Sequence, residues 1–310
     1  MARPFRFAVQ LNGAADGPGW RSLARRCEAL GYATLFIPDH FGDQWGPLVA
    51  LTVAAEATTT LRVGTLVLDN DYRHPVVLAK ELATLDLVSE GRLEVGIGAG
   101  WMTSDYDESG IPLDPPGVRV DRLTEALDVF DALWSEGSAT LGGAHYKVTA
   151  AQGLPRPHTK PRPPLIIGGG SPRVLRLAAR RADIVGVNPN LRSGRIGPET
   201  SAECLPDKFD QRIAWVREAA GDRIASLDLQ CLTFMVQVGV DRRQVASEMA
   251  PLFGVTPEDA LEIPLALVGS VDEICDTLEE RRRRWGFNYI VVHEPEMEAF
   301  APVVERLAGR

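Results

Sequence analysis

No uninterrupted apolar run among the 310 residues approaches the roughly 20 needed to carry a helix across a bilayer. The start, Met1-Ala2-Arg3-Pro4-Phe5, leads straight into a strand pattern without the apolar centre of a signal peptide, so a soluble, cytoplasmic protein is expected. The four cysteines, Cys27, Cys204, Cys231 and Cys275, form no C-x-x-C pair. That argues against a disulfide framework or a zinc site and leaves them as small core residues. The five histidines include no H-x-H or H-E-x-x-H spacing, and no metal is expected. Lysine is scarce: Lys80, Lys147, Lys160 and Lys208 are all there is, and arginine supplies the rest of the positive charge. A net charge of -9 speaks against non-specific nucleic-acid binding. The one strongly basic run, Arg281 to Arg284, falls in the last turns of an expected helix and reads there as a solvated face that suits the helix dipole.

What the chain does contain is a beat. Three times a periodic helix runs into a glycine and then a short apolar strand: Leu23 to Leu30, Gly31, Ala33 to Ile37; Val76 to Val88, Gly91, Leu93 to Ile97; Ile274 to Trp285, Gly286, Tyr289 to Val292. Glycine just past a helix adopts the left-handed cap cheaply, so each joint is a short αβ turn. Further strands are expected at Phe5 to Leu11, Leu61 to Leu68, Leu165 to Ile167, Ile184 to Val187 and within Leu227 to Val238. Strands alternating with helices pair in parallel through right-handed crossovers. Eight of them favour an α/β single-domain (β/α)8 TIM barrel over residues 1–310. Leu123, Leu127, Phe130 and Trp134 recur at helical spacing and read as core. Gly137 to Pro164, with a hairpin around Gly142-Gly143, and Pro189 to Pro206 exceed a minimal barrel and read as insertions at its C-terminal mouth.

Barrel enzymes keep their chemistry at the C-terminal strand ends. Here those ends carry Gln10 to Asn12, Asp39-His40, Leu68 to Asn70, Gly96 to Gly100, Gly168 to Ser171, Asn188 and His293-Glu294, a set rich in glycine and poor in charge. Asp39 and His40 close the second strand, followed by Phe41 and Trp45 as an aromatic wall. Adjacent residues on a strand face opposite ways, so each has its own role. An imidazole at a strand mouth beside Trp45 suits acid or base work, whereas Asp39 could equally cap a helix. His74 before Pro75 belongs to the turn into the next helix. Gly168-Gly169-Gly170-Ser171-Pro172 opens the helix Val174 to Arg181, a pattern that lets a phosphate approach the backbone. The plainer alternative is a tight turn with a serine cap. Gly96-Ile97-Gly98-Ala99-Gly100-Trp101 is no dinucleotide fingerprint, because the third glycine would fall on Trp101 and no helix begins there. Its small residues instead let a flat ligand lie against the backbone.

Together these motifs resemble the luciferase-like monooxygenase superfamily, in particular its oxidoreductases that use the deazaflavin coenzyme F420. The resemblance spans the chain and also rests on Arg73-His74-Pro75, on Leu85 to Arg92, on Val268-Gly269-Ser270 and on Gly286 to Val292. It implies the bacterial luciferase-like barrel. It implies a cofactor site made of Asp39, of Leu66, Val67, Leu68 and Asp69 with a non-proline cis peptide among them, of Gly98, Ala99 and Gly100, and of Gly168, Gly169, Gly170 and Ser171 at the phosphate end. His40 and Trp45 would face the reacting centre, with His40 exchanging a proton. Hydride transfer to or from a small-molecule substrate, and a homodimer, are implied as well. Trp101 stands where the sugar-phosphate dehydrogenases of the superfamily carry a glutamate acid, which points to a more apolar substrate. The alternatives are an FMN-dependent monooxygenase served by a separate reductase, and a non-catalytic deazaflavin carrier.

Overall fold

Eight parallel strands close into a ring in the computed structural model, which describes residues 3–310. Met1 and Ala2, where the N-terminal reading begins, lie outside the described residues. In chain order the strands are β1 (Arg6–Gln10), β2 (Thr34–Ile37), β3 (Arg62–Thr65), β4 (Leu93–Gly98), β5 (Leu165–Gly169), β6 (Ile184–Val187), β7 (Asp228–Leu232) and β8 (Phe287–His293). Each pairs with the next, and β8 returns to β1 with Phe7 opposite Ile290. Strands buried on both faces read as continuous apolar runs, which is why their positions could be anticipated. Within each run the side chains alternate. Phe7, Val9, Leu35 and Ile37 pack outward against the helices, while Ala8, Phe36, Ile166 and Val291 fill the barrel. The three glycines at the helix–strand joints, Gly31, Gly91 and Gly286, have φ of 81°, 82° and 88°, as the C-cap reading requires. Phe5 bridges Ala308, joining the two ends of the chain beneath the ring.

The lower interior of the barrel is polar. Glu94 of β4 is 1% exposed and is shared by Arg6, by Arg62 Nε at 2.8 Å and by the Tyr289 hydroxyl at 2.8 Å. This layer lies at the N-terminal strand ends, away from the mouth, where barrels invest in stability.

Four expectations need correcting. The third strand does not run unbroken: it stops at Thr65, passes through a cis Leu66–Val67 peptide and resumes at Leu68–Asp69. The seventh stretch divides. Asp228–Leu232 enters the barrel, while Met235–Val238 pairs in parallel with Ala266–Gly269 in a separate two-stranded sheet. The antiparallel hairpin Ser138–Gly142 and Lys147–Gln152 starts behind the helix that follows β4, so it climbs the outer wall, and only Tyr146 near its tip reaches Asn70 at the rim. Arg281 is no solvated residue: it is 5% exposed and donates to the carbonyls of Leu261, Ile263 and Pro264. The preceding loop turns its carbonyl oxygens toward the guanidinium, and burial lowers it to about 10.

Pro189 to Pro206 follows β6, and its Gly194 carbonyl accepts from the Thr103 amide at 3.0 Å, so this segment crosses the mouth as expected. The four cysteines are buried and free. Among the described residues no helix is long and apolar enough to span a membrane.

Candidate active site

His40 leaves β2 at the rim with its side chain 22% exposed, and its Nδ1 lies 2.6 Å from Asp105 Oδ2. Asp105 comes from the helix Thr103–Ser109, which starts two residues past Trp101, so a short helix does follow the glycine-rich end of β4. The carboxylate engages one ring nitrogen and leaves Nε2 as the polar atom free to meet a ligand. The aromatic neighbour of His40 differs from the one expected. Its ring meets Trp101 edge-on at 5.7 Å, whereas Trp45 leans on Trp20 at 5.6 Å and fills the space over Gly13. Trp101 also lines a cavity of about 480 Å³ together with Met102, Thr103, Asp107, Ser193, Arg195 and Ile196. The loop after β4 and the segment that crosses the mouth therefore border an open cleft that meets the imidazole through Trp101.

Asp39 does have a separate task. Arg73 grips its carboxylate with two nitrogens at 2.5 and 2.9 Å, and the Asp69 amide donates to it at 3.1 Å. This bidentate pair ties β2 to the turn after β3 and holds the latter against the rim. The mouth is richer in charge than its strand-end sequences imply, because the helices bring ions to it. Tyr106 bridges Asp69 Oδ2 at 2.9 Å and Asp71 Oδ2 at 3.0 Å, Arg122 pairs with Asp71 at 2.8 Å, and Arg119 donates to the Ala99 and Gly100 carbonyls. Gly100, at φ 72°, has no room for a side chain: a Cβ there would lie 1.9 Å from the Tyr106 hydroxyl.

One phenol proton cannot satisfy two carboxylates, and burial together with the nearby Asp71 and Asp39 charges pushes Asp69 up to about 6. A raised folded-state value means that the native protein holds this proton where the unfolded chain has released it. Its contribution is complete at acid pH and is lost as pH rises from about 4 through 6, by about 3 kcal/mol. Urea melts across this window should show Asp69→Asn gaining stability relative to wild type as pH rises. Parallel pH curves for the two proteins would refute the assignment.

The floor of the mouth is built from small residues. Val67 lies over Gly98, where a Cβ would meet it at 2.9 Å, and a Cβ on Gly168 would meet Asn188 at 3.3 Å and Val67 at 3.6 Å. The backbone from Gly168 to Ser171 stays half-buried, and Ser171 caps the helix Pro172–Arg181 through the Val174 amide at 3.4 Å. Asp39, Gly98 and Gly168 thus share one end of the barrel, as a common ligand demands. Gly169 and Gly170 are glycine for packing, since side chains there would strike Val174 and the Pro189 carbonyl. Sequence reasoning missed Gln230, Asp105 and Tyr72. Gln230 on β7 is 1% exposed, lies beside Gly186 inside the barrel, and has an amide nitrogen with no partner among the described residues. A buried orphan donor under a floor of glycines fits a flat molecule with ring carbonyls.

A closed (β/α)8 barrel with a histidine–carboxylate pair, a glycine floor and an adjoining cavity at its C-terminal rim has the form of a small-molecule enzyme site. The chain belongs to the luciferase-like monooxygenase family, whose model matches residues 3–253. An uncharacterized protein of Mycobacterium tuberculosis (strain ATCC 25618 / H37Rv) is 32% identical over 186 residues, which are 52% of this chain and 64% of that protein. The chain thus spans less than two thirds of the curated relatives it matches at that level. An F420-dependent glucose-6-phosphate dehydrogenase of Kribbella flavida is 27% identical over 318 residues, covering 96% of this chain and 89% of the dehydrogenase. Among solved structures, the coenzyme F420 dependent tetrahydromethanopterin reductase from Methanopyrus kandleri superposes with a TM-score of 0.78 at 19% identity, over 98% of this chain and 99% of the reductase, a likeness of fold.

Proposed function

We propose that this protein is an F420-dependent oxidoreductase acting on a fairly apolar carbonyl or unsaturated substrate. The observation that carries the reading is the His40–Asp105 pair at the barrel rim, held against Trp101 and the neighbouring cavity and above a glycine floor. The similarity to F420-dependent dehydrogenases supports the choice of cofactor. Val67, Gly98 and Gly168 would support the flat ring, Gln230 would donate to one of its carbonyls, and Gly168 to Ser171 would border its phosphate end. Leu66, Leu68, Asp69, Ala99 and Gly100 would frame it, and Asp39 would act mainly by fixing Arg73 and the turn after β3. When bound, a deazaflavin supplies hydride transfer. The protein's own share is the proton: His40 Nε2 gives or takes it at the substrate, while Asp105 holds the ring. Trp101, Met102 and Ile196 give the cavity an apolar wall beside the charged Asp107 and Arg195, and Trp101 stands where the resemblance to the superfamily's sugar-phosphate dehydrogenases would put a glutamate acid. Trp45, packed on Trp20, would serve as a back wall.

Titration of the purified protein with F420 and with FMN, followed by fluorescence, is the test. Saturable F420 binding and weak FMN binding are expected; tight FMN binding without F420 binding would install the monooxygenase reading instead. A homodimer in the cytoplasm completes the proposal, with exposed Val49 and Val77 on adjacent helices as its apolar face. A monomeric mass by sedimentation would remove that part.

A further inference from the structure

We propose that Tyr72 is a positioning residue for His40, acting through a carboxylate oxygen that the two side chains share. Tyr72 OH lies 3.2 Å from Asp105 Oδ2, the same atom that His40 Nδ1 approaches to 2.6 Å. Asp105 is 3% exposed, so water cannot stand in for either donor. The Tyr72 ring is fixed from two sides, by Phe41 at 4.8 Å and by Tyr106 edge-on at 5.8 Å. It sits in the turn that Arg73 ties to Asp39, beside His40 in sequence. The groups that face the pair from the surrounding elements are Asp69 and Tyr106 toward Tyr72, and Trp101 toward His40. Burial and the Asp69 and Asp105 charges push the Tyr72 phenol up, so it remains a proton donor throughout the working range.

Two donors on one oxygen divide its charge. With Tyr72 in place, part of the Asp105 charge is spent on the phenol, which limits how strongly the carboxylate holds a proton on His40. The shared geometry also keeps Nδ1 turned inward and Nε2 outward. Removing the phenol oxygen gives the full carboxylate to the imidazole, and the ring then retains its proton to higher pH.

The inference rests on the reading of His40 as the group that carries the proton, yet it can be tested without cofactor or substrate. In protein labelled with ¹⁵N-histidine, the ring titration of His40 is assigned by its disappearance in His40→Gln. Tyr72→Phe should move that midpoint upward by about one unit, a tenfold change in proton affinity. Phe41→Leu, which loosens the same ring but touches no hydrogen bond, should move it by no more than about 0.2 unit. In an Asp105→Asn background, Tyr72→Phe should have no further effect. An unmoved midpoint in Tyr72→Phe, an equal movement in Phe41→Leu, or a persisting effect without Asp105 would each overturn the proposal. If the midpoint moves as expected while His40→Ala turns substrate over at full rate, the functional reading fails and the coupling stands.

Discussion

His40→Ala is expected to bind F420 about as tightly as the wild type and to lose two to four orders of magnitude in turnover with a panel of cyclic enones and aliphatic ketones. That range is what a positioned general acid or base typically contributes. The reason for sparing the cofactor is geometric. The glycine floor around Val67, Gly98 and Gly168 and the orphan amide of Gln230 belong to β4, β5, β7 and the turn after Thr65, whereas the imidazole is held by Asp105 and Trp101. The reason for the loss is that among the described residues no other imidazole adjoins Trp101: His74 instead accepts from the Val76 amide at 3.3 Å as a helix cap and faces Tyr146. The experiment reads binding by fluorescence and turnover by oxidation of reduced F420. Equal losses of both would mean that His40 is part of the cofactor's seat. A variant with full turnover would deny it the proton role, and binding retained with no wild-type turnover of any substrate would favour a carrier.

The barrel was legible because its strands are buried on both sides and so appear as apolar words, such as Tyr289 to Val292 after the stop at Gly286. His40 was legible for the same reason, being the first titratable side chain after such a word that no cap explains. Its partner was not. Asp105 lies 65 residues away on a seven-residue helix with no amphipathic stripe to announce it, and only closure of the ring brings the two together. Tyr72 and the Arg73–Asp39 pair are hidden likewise, since contacts between turns of different strands leave no period in the sequence. Gln230 left a faint trace. Asp228, Gln230 and Leu232 alternate with apolar neighbours, and a polar residue on the inward side of a buried strand calls for a partner. Arg281 misled because a run of four arginines near a helix end normally faces water, and what captures this one is a set of loop carbonyls that no local pattern displays. The Leu85 to Arg92 motif turned out to serve folding: Asp86 accepts from Thr159 and Arg92 from below binds the Ala55 and Leu61 carbonyls, far from His40.

At the opposite end of the barrel, Glu94→Ala should destabilise the fold by roughly 3–5 kcal/mol, without altering any residue of the mouth. The argument is one of stranded charge. Arg6 and Arg62 both direct guanidinium nitrogens at Glu94, their side chains are only 24% and 28% exposed, and Tyr289 donates to the second carboxylate oxygen from a fully buried position. Removing the carboxylate leaves two cations converging on an emptied site inside the barrel, with Asp228 at 3.3 Å from Arg6 as the remaining counter-charge for one of them. Glu94→Gln keeps an acceptor for Arg62 and a partner for the tyrosine, so its cost should be clearly smaller, about 1–3 kcal/mol. Urea denaturation midpoints measure both. A loss below about 1 kcal/mol for Glu94→Ala would mean that water or Asp228 compensates the arginines, and the lower layer would then matter little to closure of the ring. A large loss of stability with unchanged F420 binding at a temperature where the variant remains folded would place the fold's electrostatic anchor at one end of the barrel and its chemistry at the other.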